Sequence, residues 1–359
     1  MASDAGHRIK RITQRNIAEK LGVSRTVVSY ALNDRPDGYG NVAMHPDLRE
    51  AIKRTAAEMG YKPDRVAAAL GGGHSKTVAV ISQLGENQIS IQRVHSICHQ
   101  LQENGYEYML QIASSGDGML KNFEKTIDLL EGYRIGGYII HQICFSGSDN
   151  ARAEKLLLDT GKPVVQVATS FSKAFPRIDV DYFGAGYQLA QHIIDLGRRK
   201  LVGVSLASES PGVRERFQGI KSAVDKTQGA YLRKFHCVPD PLVSFGSAIE
   251  QGYSVTEKLL SELLPDAIFY SNDHMACGGL NALVERGVKV PGDVAITGFD
   301  GVTITKYTVP PITTAEQPVS VMAEKVVTTL AEMMRNSAYN PPSLTTVPCN
   351  LVFRESSRR

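Results

Sequence analysis

A chain of 359 residues, 42% hydrophobic and 21% charged, has the make-up of a folded protein of two or three domains. No apolar run approaches the ~20 residues of a membrane span, and no apolar stretch follows the basic N-terminus as in a secretory leader. The five scattered cysteines form no C-x-x-C pair, which argues for a reducing cytoplasm and against a disulfide framework or structural zinc.

The net charge of +3 is unevenly placed. Residues 1–76 hold thirteen Lys and Arg against eight Asp and Glu, a surplus of +5, which leaves −2 for the rest. A basic head on a slightly acidic body fits a polyanion-binding module joined to something else.

The head reads as helices. Thr13 is a suitable N-cap for a segment over 14–21, in which Ile17, Ala18 and Leu21 have helical spacing. Gly22 stops it, because glycine adopts the left-handed conformation cheaply. Ser24 caps a second helix over 25–32 with Val28, Ala31 and Leu32 on its apolar side. Two short helices joined through Gly-Val-Ser form a helix-turn-helix, whose second helix enters the DNA major groove N-terminus first. Arg25, Thr26, Ser29 and Tyr30 lie away from the apolar side. Arg25 suits guanine O6/N7, and Thr26 suits a base edge or thymine methyl. Ser29 and Asn33 are better placed for phosphates. The alternative is a small helical hairpin with a polar face. A third helix runs from Pro46 to Met59, with Leu48, Ile52, Ala56 and Met59 as its buried stripe and Gly60 as its stop.

The segment after Tyr61 is a short Ala-rich run, 63–70, ending in Gly71-Gly72-Gly73. It is too short to be helical alone in water, so it should order only when DNA and a second copy supply contacts. A flexible linker is the alternative.

From Thr77 onward, short apolar runs alternate with amphipathic segments: 77–82, 108–113, 136–143, 163–168, 201–206, 267–271 and 294–299. This alternation predicts parallel sheets covered by helices on both faces, in two similar α/β sets divided near residue 176. Parallel sheets present ligand sites beyond the C-terminal ends of their strands. Gln83, His141, Asn272, Asp273 and Asp300 end such runs, and Arg216 lies in the first turns of a helix. Asp accepts hydroxyl hydrogen bonds, Arg donates a fork and Asn does both, a set suited to a small polar, polyhydroxylated molecule. Asp273 reads as a helix cap.

The segments IAEKLGVSRTVVSYALN, GYKPDRVAAAL and KTVAVI, with SNDHMACGGLNAL, GVKVPGDVAITGFD, PPITTAEQP and LVFRESS further on, resemble the LacI/GalR family of bacterial transcription regulators from about residue 12 to 357. The resemblance implies an all-α helix-turn-helix head (1–62) and a hinge helix and linker (63–76). Behind them it implies an α/β two-lobed, periplasmic-binding-protein-like (type I) effector domain (77–359). Lobe 1 would hold about 77–175 and 318–342, and lobe 2 about 176–317 and 343–359, with crossings near 172–178, 315–319 and 340–344. It implies a homodimer or larger assembly on a double-stranded DNA operator. Thr13, Ser24, Arg25, Thr26, Ser29, Tyr30, Asn33, Arg65, Ala67 and Leu70 would contact DNA, with Leu70 as a minor-groove wedge. Arg216, Asn272 and Asp300, with Gln83 and His141 from the first lobe, would hold a small polar effector, a sugar or sugar derivative. Two features depart from the family pattern: the connection 33–45 is longer than usual, and Tyr30 stands where Arg is common.

Other classes fit less well. No G-x-G-x-x-G follows a strand, and no P-loop or G-x-S-x-G motif occurs, so neither an enzyme nor a cofactor is expected. His95, Cys98 and His99 have the spacing of metal ligands on one helix face but no completing carboxylate; a plain helix face is the simpler reading. A secreted sugar-binding protein would share the lobes but not the helix-turn-helix. A body that answers to a protein partner or a nucleobase-type corepressor stays open.

Overall fold

The computed structural model describes residues 12–32, 44–61, 75–84, 88–113, 118–145, 147–206, 210–237 and 248–358. The chain divides into two units, Met1–Ser75 and Lys76–Arg359.

The first unit holds α1 (Gln14–Leu21), α2 (Arg25–Leu32) and α3 (Pro46–Glu58). Asn16 Oδ1 accepts from the Thr13 N–H at 3.0 Å and from its hydroxyl at 2.8 Å, which ties the first turn of α1 to its cap. Gly22 sits at φ +66°, the left-handed turn that a β-carbon would disfavour, and lets Ser24 begin the next helix. The Ser24 hydroxyl oxygen accepts from the Val27 N–H at 3.3 Å. At the end of α3 the Tyr61 N–H donates to the Ala56 carbonyl at 2.9 Å past Gly60. Ile17, Ala18, Val28, Ala31, Ile52 and Ala56 form the buried core. Leu48 and Met59, expected in the buried stripe, lie partly buried at its rim.

The second unit contains two parallel sheets. The first runs β11-β5-β4-β3-β1-β2, from β1 (Thr77–Ser82), β2 (Glu107–Ile112), β3 (Gly137–His141), β4 (Val164–Val167), β5 (Arg177–Val180) and β11 (Leu344–Val347). The second runs β7-β6-β8-β9, from β6 (Lys200–Leu206), β7 (Tyr231–Cys237), β8 (Ala267–Tyr270) and β9 (Ala295–Thr297). A small antiparallel pair joins β10 (Thr314–Glu316) to β12 (Asn350–Val352).

Strand alternation explains why each sheet is covered twice. On one face of the first sheet, Val78, Val80, Ile139 and Val165 pack against α4 (Gln88–Glu103) and α11 (Val319–Arg335). On the other, Ala79, Ile81, Tyr138 and Ile140 pack against α5 (Met119–Glu131) and α6 (Asp149–Asp159). In the second sheet, Leu201, Ala267 and Phe269 face α7 (Tyr182–Asp195) and α8 (Pro211–Asp225). Val202, Val204, Ile268 and Tyr270 face α9 (Ala248–Glu262) and α10 (Asp273–Glu285). Helices α7 and α8 touch backbone to backbone. A β-carbon on Gly186 would come within 2.1 Å of the Arg216 carbonyl oxygen, and one on Gly219 within 2.1 Å of that of Phe183.

Two of the expected crossings between sheets move. β5 pairs with β4 and β11, so the chain stays in the first sheet through Val180 and does not leave it within 172–178. β11 pairs with β5, so 344–347 belongs to the first sheet and the last crossing lies between Val347 and Asn350, not within 340–344. RIDV and LTTV are four-residue strands carrying Asp179, Thr345 and Thr346, too short and polar to stand out as buried runs. The middle crossing falls between Glu316 and Val319. β7, YLRKFHC, is a further strand that hydropathy does not single out; it is an edge strand with Arg233 and Lys234 at its centre.

Candidate functional site

The head presents a polar face on α2. Arg25 and Thr26 are exposed on the first turn, directly after the Ser24 cap, while Val28 and Ala31 are buried on the opposite side. Ser29 and Tyr30 are half-buried at the edge of that face. Thr13 and Ser24 serve as caps, and both remain exposed. Asn33, Arg65, Ala67 and Leu70, and with them the long connection and the hinge segment, lie outside the described residues.

In the body, strand ends gather polar side chains as expected. Ser82 and His141 end the neighbouring strands β1 and β3 in register. Ser82 Oγ and His141 Nδ1 share a hydrogen bond of 2.8 Å. Burial, with the Arg93 guanidinium nearby, depresses the His141 imidazole to about 3, so the ring is neutral at pH 7. Gln83 follows, half-buried, its N–H donating to the His141 carbonyl at 3.2 Å.

The second sheet supplies Arg216, Asn272 and Asp300. Arg216 is buried on α8, with its guanidinium carbon 3.5 Å from the Phe299 ring centroid and 5.3 Å from that of Tyr182. Its Nη1 donates to the Ser271 carbonyl. Burial pushes Arg216 below its ordinary value, and Asp300 nearby opposes this. Asp300 adopts φ +116°, a backbone conformation that costs a non-glycine residue about 1–3 kcal/mol. Three hydrogen bonds hold it there. Its N–H donates to the Ala315 carbonyl at 2.9 Å, its carbonyl accepts from the Gln317 N–H at 3.2 Å, and its Oδ1 accepts from Gln317 Nε2 at 2.7 Å. Burial lifts the Asp300 carboxyl above its usual range, against the pull of Arg216 and Arg93.

Asn272, and not Asp273, supplies the cap expected at this helix start. Asn272 is the cap of α10, with Oδ1 accepting from the Met275 N–H at 2.8 Å; its side-chain amide N–H groups remain for other partners. Asp273 is fully buried and structural: it accepts from the Val302 N–H at 2.8 Å and the Thr314 hydroxyl at 2.6 Å. It thereby anchors the turn that displays Asp300.

Sequence reasoning missed the residue that links the two walls. Arg93, on α4, donates from Nη2 to the Tyr182 hydroxyl at 2.9 Å and to Gln317 Oε1. Since Gln317 also holds Asp300, a chain Arg93–Gln317–Asp300 runs from a helix on the first sheet to the end of a strand in the second. A signal existed: Arg93 falls on the buried stripe of Ile89, Val94, Ile97 and Leu101, where a charge needs a reason. The nearby His95 and His99 are exposed, whereas Cys98 is buried in the core, so the three share no open face. Among the described residues, no three His, Cys, Asp or Glu side chains gather as metal ligands, and no helix is long and apolar enough to cross a membrane.

Comparison with known proteins places this arrangement. A family model for a periplasmic binding protein-like domain matches residues 190–357. The HTH-type transcriptional regulator CelR of Thermobifida fusca is 26% identical over 364 residues, covering 97% of this chain and 99% of that protein. The HTH-type transcriptional repressor PurR of Haemophilus influenzae (strain PittEE) is 26% identical over 321 residues, 89% of this chain and 90% of that protein. Among solved structures, the lac repressor dimer bound to operator and the anti-inducer ONPF superposes with a TM-score of 0.80 at 24% identity, covering 97% of this chain and 99% of that one. The complex of CelR with cellobiose gives 0.66 at 24% identity, covering 96% of this chain and 100% of that one.

Proposed function

We propose that the chain is a DNA-binding transcriptional regulator of the LacI/GalR family, an effector-controlled repressor and not an enzyme. It binds a pseudo-palindromic operator as a homodimer in the cytoplasm, with α2 of each head in the major groove of one half-site. Arg25 and Thr26 read base edges, Ser29 and Asn33 meet phosphates, and Thr13, Ser24 and Tyr30 complete the DNA contacts of the head. The hinge segment, with Arg65, Ala67 and Leu70, enters the minor groove, where Leu70 acts as the wedge. The observation that carries the DNA reading is the exposure of Arg25 and Thr26 on the first turn of a capped helix whose other side is the buried core.

A small polar effector, a sugar or sugar derivative, binds between the two sheets of the body, held by Gln83, His141, Arg216, Asn272 and Asp300. The strained, triply held Asp300 supports this placement, because such strain persists where surroundings over-determine it for a task. The CelR–cellobiose complex, of the same fold, supports a carbohydrate. The effector shifts the population of lobe arrangements, and with it the ability of paired hinge segments to order on DNA.

Selection of bound genomic fragments by the purified protein tests the DNA reading: a shared two-fold motif is expected, and fragments without one would refute it. On that motif Arg25→Ala should relax preference at one base position and cost about 1–3 kcal/mol. Asp300→Ala should abolish the response of a reporter gene to the effector while operator affinity in gel shift persists; a normal response would remove Asp300 from the site.

A further inference from the structure

Two buried arginines and a buried histidine of the body carry polar atoms that no group of the fold meets. Arg93 comes from a helix on the first sheet and Arg216 from a helix on the second, and both reach Tyr182: Arg93 donates to its hydroxyl at 2.9 Å, and the Arg216 guanidinium carbon lies 5.3 Å from its ring centroid. Both are nearly inaccessible, 5% and 6% exposed, and His141 is 0% exposed. Among buried side-chain atoms without a hydrogen-bond partner are Arg93 Nε, Arg216 Nε and His141 Nε2. A buried N–H left without a partner is unfavourable, and more so on a charged group.

The partners that these cations do have are neutral. Arg93 donates to a phenol and an amide, and Arg216 to a backbone carbonyl. The nearby carboxylates, Asp300 and Asp179, attract these cations but accept no hydrogen bond from either guanidinium. Asp300 Oδ1 is held by the Gln317 amide, and Asp179 pairs with Arg177 at 3.6 Å and accepts the Val180 N–H at 2.9 Å. Two guanidinium groups near each other in a buried site, each with an idle Nε–H, match a group with several anionic oxygens, because a carboxylate or phosphate takes forked N–H donors. A hydroxyl accepts at one oxygen and leaves the rest unpaired.

We propose that the effector is a sugar derivative bearing one anionic oxygen group, a carboxylate or a phosphate, received by Arg93 from one wall and Arg216 from the other, with Asp300 taking its hydroxyls. The inference rests on the reading of the cleft as an effector site and narrows its ligand. Arg93 then sets ligand class, because it acts on the charged group and not on the hydroxyls. Its bonds to Tyr182 and Gln317 also give the anion a route to both walls at once.

Calorimetric titration of the full-length protein with matched probes tests this: galactose against galacturonate, and glucose against gluconate and glucose 6-phosphate. At least one anionic probe should bind 100-fold or more tighter than its neutral parent, and whether it is a sugar acid or the phosphate identifies the group. Arg93→Gln should weaken that binding at least 30-fold. Arg93→Lys, which keeps the charge but loses the fork, should fall between, with thermal melting to confirm that both variants fold. A neutral parent binding as tightly as its anion overturns the inference and leaves the effector cleft standing. So does unchanged anion binding by Arg93→Gln. No binding by any anionic probe also overturns it; if Asp300→Ala then leaves regulation unchanged as well, the cleft reading falls with it.

Discussion

The head and the cleft are assembled by opposite means. In the head, each structural decision is taken within five residues: Thr13 with Asn16, Ser24 with Val27, and Tyr61 with Ala56 across Gly60. In the cleft, the deciding partners lie far apart in sequence. Arg93 meets Gln317, Arg216 meets Ser271, and Ser82 meets His141. The head thus rests on local rules and, among its described residues, a core of six buried apolar side chains, whereas the strand-end cluster of the body is drawn together by two sheets.

The sharpest way to break this comparison is to empty the small core. Ile17 is fully buried, and Ile17→Ala should cost about 2–5 kcal/mol, enough to melt the head and abolish operator binding. Differential scanning calorimetry should show the body's transition unmoved. A single transition shifted as a whole would mean that head and body fold as one unit.

A smaller effect separates the cleft from the head by pH. The folded His141 imidazole, near 3, lies below its ordinary 6.5, so the unfolded chain binds more protons between those values. The stabilising contribution is complete above about 6.5 and is lost as pH falls toward 3. Its slope is at most about 1.4 kcal/mol per pH unit. Denaturant unfolding at pH 7.5, 6 and 5 should show the wild type losing stability faster than His141→Gln. Equal slopes would mean that His141 does not stay neutral in the fold.

The smallest expected effect sharpens the local side. Ser24→Ala removes the cap of α2 and should cost about 1 kcal/mol. Amide exchange should quicken in the first turn of α2 while α3 keeps its protection. Equal loss in both would show that the cap holds the whole head.

Legibility in the sequence follows the same division. The helix-turn-helix was readable because caps, the Gly22 stop and apolar spacing are short-range signals. Strong parallel strands such as TVAVIS and AIFY were readable as apolar runs, and the strand-end positions of Gln83, His141, Asn272 and Asp300 followed from them. Arg93 was missed because its importance depends on Tyr182 and Gln317, which no local pattern connects to it. The crossings near 172–178 and 340–344 were misplaced because β5 and β11 are short, polar and hydrogen-bonded mainly to each other across a long loop of sequence. Asp273 reads locally as a cap, but Asn272 takes that place, and only the fold shows that Asp273 is needed beneath the Asp300 turn.

The placement of β11 bears on how the protein is made. Synthesis proceeds from the N-terminus, and domains fold as their residues emerge. Among the described residues, the core of the head is complete by Tyr61. The first sheet, by contrast, lacks an edge strand until 344–347 has been translated, and Ser356 is still required to bond the Thr313 N–H and the Ile296 carbonyl. A nascent chain therefore carries a closed three-helix core for most of its translation before the first sheet of the body has all its strands.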